Sequence, residues 1–195
     1  MSRQILLVRH CEVGPEWRGL CYGQSDVGLS PEGERHSRKL AAQLAAWPIT
    51  HLFHSGLART SFLADLLAAR VGVSAIQDTD LRERDFGAWE LRPWDDIYAE
   101  VGRAMDGLFF DPSGYAPPGG ETTAALRDRV LHWYELLPSE GLIVAITHGG
   151  AIAALRGALM DWPAARWPEF VPAYGSITAV PLHPLNLHRR RRLSS

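Results

Sequence analysis

The sequence predicts an α/β fold: a three-layer sandwich with a mostly parallel, doubly wound sheet, helices on both faces and a loop-rich covering insertion. Three observations carry this. Ile5–Val8 and Leu142–Ile146 are uninterrupted apolar runs, the mark of strands buried on both faces of a parallel sheet. Strand patterns alternate with amphipathic helical ones, which implies right-handed crossovers. Each apolar run also leads into a histidine, His10 after Arg9 and His148 before Gly149, at the strand end where open sheets bind ligands.

In chain order, the first strand runs into a loop, 12–29, rich in glycine and aromatics (Trp17, Tyr22). Ser30-Pro31-Glu32-Gly33-Glu34 opens a helix, with Ser30 as N-cap, proline at the first position and acids in the first turn. Leu40, Leu44 and Trp47 form its apolar stripe, and Pro48 ends it. His51–His54 is a short second strand, Ser55–Thr60 leads into a helix reaching about Arg70, and Val73–Ile76 is a third strand. From Leu81 to Gly120 prolines and aromatics break the pattern, with a helix expected around Trp94–Phe109. Helices follow at Glu121–Leu137 and, after the His148 strand, at Ala151–Leu159; Ser176–Leu182 supplies a last strand at an edge.

With 195 residues and 46% hydrophobic content, the chain can bury the core of one domain. A net charge of −2 gives no general pull toward nucleic acid or membrane. The apolar run at the N-terminus is too short for a signal peptide. Cys11 and Cys21 lack the spacing of a metal knuckle or redox pair. The expectation is a cytoplasmic protein that binds neither nucleic acid nor membrane; oligomeric state cannot be read from the chain. The run Arg189–Arg192 is read as a solvated tail.

Two histidines converging with arginines suit an anion, above all a phosphoryl group, because the guanidinium fork matches phosphate oxygens. Arg59 falls just past the second strand, at a helix start whose N–H groups also favour anions. Arg9-His10, Arg59, Glu83 within Leu81–Gly87, Pro117–Thr122 and His148-Gly149 stand in an order that resembles the histidine phosphatase superfamily, of phosphoglycerate-mutase-like fold. The resemblance implies one domain over 1–195, with an insertion at about 81–120 and a basic tail at about 188–195. It implies a phosphatase without metal or other cofactor, acting on a small phosphorylated metabolite. His10 would be the nucleophile and Glu83 the proton donor, with Asp85 and Glu90 as alternatives. His148 would complete the catalytic set, and Arg9, Arg59 and Gly149 would bind phosphate. Arg9, Arg59 and a charged His148 would keep His10 unprotonated.

The chain departs from that pattern at Cys11, where the family has glycine, and at Val13 and Glu16, where relatives carry residues that hold the phosphate. Arg18 is the candidate to take over that role. A cysteine-dependent phosphatase would need five residues between Cys11 and its arginine; six separate it from Arg18, and two are acids. A metal hydrolase lacks a ligand cluster, because His51 and His54 point to opposite faces of a strand. A non-enzymatic module binding a phospho-ligand would not need Glu83. The stretches Gly23–Ser30, Leu81–Glu90 and Pro163–Thr178 resemble the α-ribazole phosphatase type of cobalamin synthesis, with a general phosphatase or phosphoglycerate mutase as alternatives. Tyr22 and Trp89 are the expected substrate-pocket aromatics, among Trp17, Phe86 and Trp94.

Overall fold

The computed structural model describes residues 2–180. Its main sheet holds β1 (Gln4–Arg9), β3 (Ile49–His54), β4 (Ala75–Gln77), β6 (Leu142–Thr147) and β7 (Ile177–Ala179), in the order β4-β3-β6-β1-β7. The first four strands are mutually parallel, and β7 pairs antiparallel with β1 at the edge. Alternation along β1 divides the core. Ile5 and Leu7 pack with α5 (Thr123–Glu135) and α6 (Gly149–Leu159). Leu6 and Val8 pack on the other face with α1 (Pro31–Leu44) and α2 (Ala58–Val71). All six residues of β6 are buried, as the apolar run requires. The sandwich is therefore the predicted three-layer, doubly wound one.

Local signals hold in places and yield in others. Ser30 caps α1, its hydroxyl accepting from the Gly33 N–H at 2.9 Å. That helix stops at Leu44, so Trp47 lies beyond the stripe it was assigned to and is 44% exposed. The expected helix over Trp94–Phe109 is interrupted: α3 (Trp94–Val101) ends at Gly102, whose φ of 54° leaves the helical region, and a 3₁₀ turn leads to α4 (Gly107–Phe110). The covering segment contributes β5 (Arg92–Pro93), paired with β2 (Leu20–Cys21), over a cluster of Cys21, Trp89, Ile97 and Leu108. The basic run Arg189–Arg192 lies outside the described residues.

Candidate active site

The pairing of β1 with β6 brings the two histidines together. Arg9 is in register with Thr147, so His10 and His148 emerge side by side, with ring centroids 5.1 Å apart. The His10 N–H donates to the Thr147 carbonyl at 2.9 Å, which fixes where the chain leaves the sheet. His10 Nδ1 lies 2.8 Å from the Cys11 carbonyl. A carbonyl only accepts, so Nδ1 carries the ring proton and Nε2 keeps its lone pair. Burial first, then the charge of Arg59, hold the His10 pKa at about 3; the Cys11 carbonyl opposes this and Arg9 adds to it.

His148 is the N-cap of α6 and fully buried. Its Nδ1 accepts from Arg59 Nε at 3.3 Å, so its Nε2 donates to Ser55 Oγ at 2.7 Å. Ser55 in turn donates to Thr60 Oγ1, whose own proton goes to the Leu57 carbonyl. This chain admits only the neutral imidazole. Burial and Arg59 hold its pKa well below the usual value, which corrects the expectation of a charged His148.

Arg59, the second residue of α2, is fully buried; its Nη atoms donate to the carbonyls of Ser25 and Gly23 at 2.7 and 2.6 Å. The N-terminus of α2 is not open to an anion as expected, because Asp26 Oδ1 accepts from Ala58 N at 2.6 Å. Arg9 donates to the Pro172 carbonyl at 2.6 Å, while its buried Nε has no hydrogen-bond partner among the described residues. Two glycines let the cluster close. A side chain at Gly149 would strike Val171 and press on Arg9 Cζ, and one at Gly150 would strike the Glu83 carboxylate. That carboxylate accepts from Gly150 N at 3.0 Å and Arg84 N at 2.9 Å.

The neighbouring cavity, of about 550 Å³, is lined by Arg9, Glu83, Gly149 and Tyr22 and by an apolar wall including Trp17, Phe86, Trp94 and Phe109. His10, Arg9, Arg59, Glu83, His148 and Gly149 are thus gathered at one end of the sheet. Arg18 reaches only the cavity rim, its exposed side chain paired with Glu12 at 2.8 Å. Trp89 is a correction: it is 1% exposed, packed with Cys21 and Ile97, and does not line the cavity. Of the alternative acids, Glu90 ties Gln24, Ser25 and Phe86 together and Asp85 accepts from Gly87 N, so both hold loops. Val13 lines the cavity, whereas Glu16 is exposed and does not. Tyr174, Ser55 and Arg84 were not singled out from the sequence. Ser55 lay in the turn leading to Arg59 and Tyr174 in the Pro163–Thr178 stretch; the signal was position beside a motif, not residue type.

A buried neutral imidazole with a free lone pair, ringed by arginines at the carboxyl end of a parallel sheet, defines a phosphoryl-transfer enzyme of the α/β class. The chain belongs to the histidine phosphatase superfamily (branch 1), whose sequence pattern matches residues 5–188. It is 31% identical over 169 residues to the probable phosphoglycerate mutase GpmB of Salmonella choleraesuis, covering 85% of this chain and 78% of that one. To the protein of the same name from Yersinia enterocolitica it is 30% identical, over 82% of this chain and 76% of that one. Its fold superposes on mycobacterial glucosyl-3-phosphoglycerate phosphatase, solved with VO3, at a TM-score of 0.80 and 29% identity, covering 92% and 93% of the two chains. Phosphatase or mutase chemistry on small phosphorylated metabolites is the activity of this family. No helix among the described residues is long and apolar enough to cross a membrane.

Proposed function

We propose that this protein hydrolyses phosphomonoesters through a phosphohistidine on His10, and that its substrate is α-ribazole 5′-phosphate in cobalamin biosynthesis. What carries the chemistry is the hydrogen bond from His10 Nδ1 to the Cys11 carbonyl, which leaves Nε2 as a nucleophile. Nε2 attacks phosphorus and the bond to the leaving alcohol oxygen breaks. Glu83, from the cavity wall, gives that oxygen its proton, then takes one from the water that attacks phosphorus as the P–N bond breaks. Phosphate leaves and His10 returns neutral. Arg9, through its unpartnered Nε, and Arg59 balance charge on the equatorial oxygens, and the neutral His148, its one N–H given to Ser55, orients Arg59 by accepting from its Nε. Quenching with labelled substrate should trap an acid-labile, base-stable adduct that His10→Ala lacks; an adduct surviving that change would sink the mechanism.

The substrate reading rests on the cavity. Its wall of Trp17, Leu20, Phe86, Trp94, Met105 and Leu108 offers far more apolar surface than a three-carbon acid covers. Arg84 Nη1 and Trp17 Nε1 are buried there without acceptors among the described residues. A benzimidazole riboside supplies a flat ring for the wall and ring-nitrogen and hydroxyl acceptors for those donors. The relatives named as phosphoglycerate mutases favour a second reading, in which Arg84 takes a carboxylate. Comparing kcat/KM for α-ribazole 5′-phosphate, nucleoside monophosphates, sugar phosphates and 3-phosphoglycerate decides between them. Preference for the last, with phosphate moved rather than released, overturns the first reading.

A further inference from the structure

Glu83 follows a 3₁₀ turn, Thr79–Leu81, on an irregular stretch, and four successive carbonyls, from Asp80 to Glu83, are each held by a side chain. Thr147 Oγ1, at the end of β6 and just before His148, donates to Leu81 O at 2.6 Å. Arg129, on α5, holds the other three: its Nη1 donates to Asp80 O and Arg82 O, both at 2.7 Å, and its Nη2 to Glu83 O at 2.8 Å. The remaining Arg129 N–H groups go to Glu121, Nε to Oε2 at 3.0 Å and Nη2 to Oε1 at 2.6 Å. Glu121 Oε1 also accepts from Asp85 N at 2.9 Å, so the same ion pair fixes the loop on both sides of Glu83. Five guanidinium donors meet five acceptors, and both side chains are at least four-fifths buried, at 17% and 15% exposure. Elsewhere α5 packs its apolar side on the core, lines the cavity with Thr123 and Leu126, and meets the same segment once more where the exposed His132 pairs with Asp80; Arg129 itself does not line the cavity.

We infer that Arg129, oriented by Glu121, is a positioning residue for the proton transfer by Glu83: it sets where that carboxylate stands relative to the leaving oxygen. This rests on the reading of Glu83 as proton donor. The reason for arginine is geometric. One planar fork spans three carbonyls and a carboxylate, whereas an ammonium on the same helix would keep the charge and lose the span. A residue that merely stabilised the fold would, on removal, slow all substrates alike. A residue that positions the acid slows, in the step that transfers phosphoryl to His10, only those whose leaving group needs a proton.

The experiment measures kcat/KM, which reports phosphoryl transfer from substrate and not the later hydrolysis common to all esters, for an alkyl phosphate and for 4-nitrophenyl phosphate in Arg129→Lys, Arg129→Met, Glu121→Gln, Glu83→Gln and the double variant Arg129→Lys/Glu83→Gln, each checked by thermal melting. A displacement of about 1 Å at a reacting group costs on the order of 100-fold in rate. Arg129→Lys should therefore lose about that factor on the alkyl ester while changing the nitrophenyl ester less than about 5-fold. In the double variant the lysine should add no further selectivity, because the group it misplaces is gone. Equal losses on both esters in Arg129→Lys and Glu121→Gln, with Glu83→Gln still selective, would overturn the positioning role alone. An unselective Glu83→Gln would overturn the proton-donor reading and this inference with it. Should Arg129→Met fail to fold, Arg129→Lys and Glu121→Gln carry the test.

Discussion

The phenolic oxygens of Tyr22 and Tyr174 lie 2.8 Å apart, joining the loop after β2 to the loop before β7 above the reactive centre. The Tyr174 ring lies 5.4 Å from that of His10 and 4.0 Å from Arg9 Cζ, and the Tyr22 ring 5.2 Å from Arg59 Cζ. A phosphate approaching His10 meets this bridge first. Tyr22→Phe keeps the ring and removes the bond, worth about 1 kcal/mol or a factor of about five. Inhibition by inorganic phosphate should therefore tighten by up to that factor. Weaker inhibition would mean that the hydroxyl turns to the phosphate instead.

Cys11→Ser should leave most of the activity. The thiol is fully buried against Leu40, Leu44 and Val8, and burial pushes its pKa up, so it is no thiolate. Only its carbonyl faces His10, and serine keeps that. Activity assays beside melting curves separate the two effects: a small loss of stability is expected, and a dead but folded variant would return the chemistry to the cysteine.

Acid should destabilise the fold before it titrates any exposed carboxylate. His10, at about 3, and His148, well below 6.5, refuse in the folded state protons that the unfolded chain takes up below pH 6.5. Their contribution is complete above pH 6.5 and falls as pH drops from there toward the folded values. Each such proton tilts stability by about 1.4 kcal/mol per pH unit. His132, raised by its bond to Asp80, works the other way, but it is exposed and screened. Urea melts from pH 7.5 to 5 should show the decline, and His10→Ala should flatten it. Identical slopes in both proteins would contradict the burial of a neutral His10.

Much of this was legible in the chain. Runs such as Ile5–Val8 and the Ser30 cap are local, and local physics decides them. The gathering of His10 and His148 was legible because strand ends in a parallel sheet must meet. Trp89 and Phe86 were not separable, three residues apart in one loop: packing against Cys21 buries the first, and the second lines the cavity. Arg129 was invisible for another reason. It acts on backbone carbonyls, which every residue has, so no pattern of side chains announces it.

Exhaustive chelation should leave the rate unchanged. In the proposed mechanism Arg9 and Arg59 offset the phosphoryl charge that a divalent ion would otherwise offset. A loss of activity restored by added Mg²⁺ or Zn²⁺ would count against the arginine-only account.

Phe86→Ala and Trp89→Ala should part company. Phe86 lines the cavity and meets Trp94 edge to face, with centroids 5.3 Å apart, so its removal strips a face from the substrate wall. Losing one aromatic contact of about 1.5 kcal/mol corresponds to roughly a tenfold rise in KM for a ring-bearing ester. A small sugar phosphate that never reaches the wall should be indifferent, and kcat should hold for both, because Glu83 is fixed by Arg129 and Gly150 rather than by Phe86. Trp89 lies under that wall with Ile97 and Leu108, so Trp89→Ala opens a void and should cost about 3–5 kcal/mol of stability. Its effect on KM, where the variant folds, should not distinguish large substrates from small. If Phe86→Ala raised KM equally for both kinds of ester, the apolar wall would not be reading the leaving group, and the case for a flat aromatic substrate would fall with it.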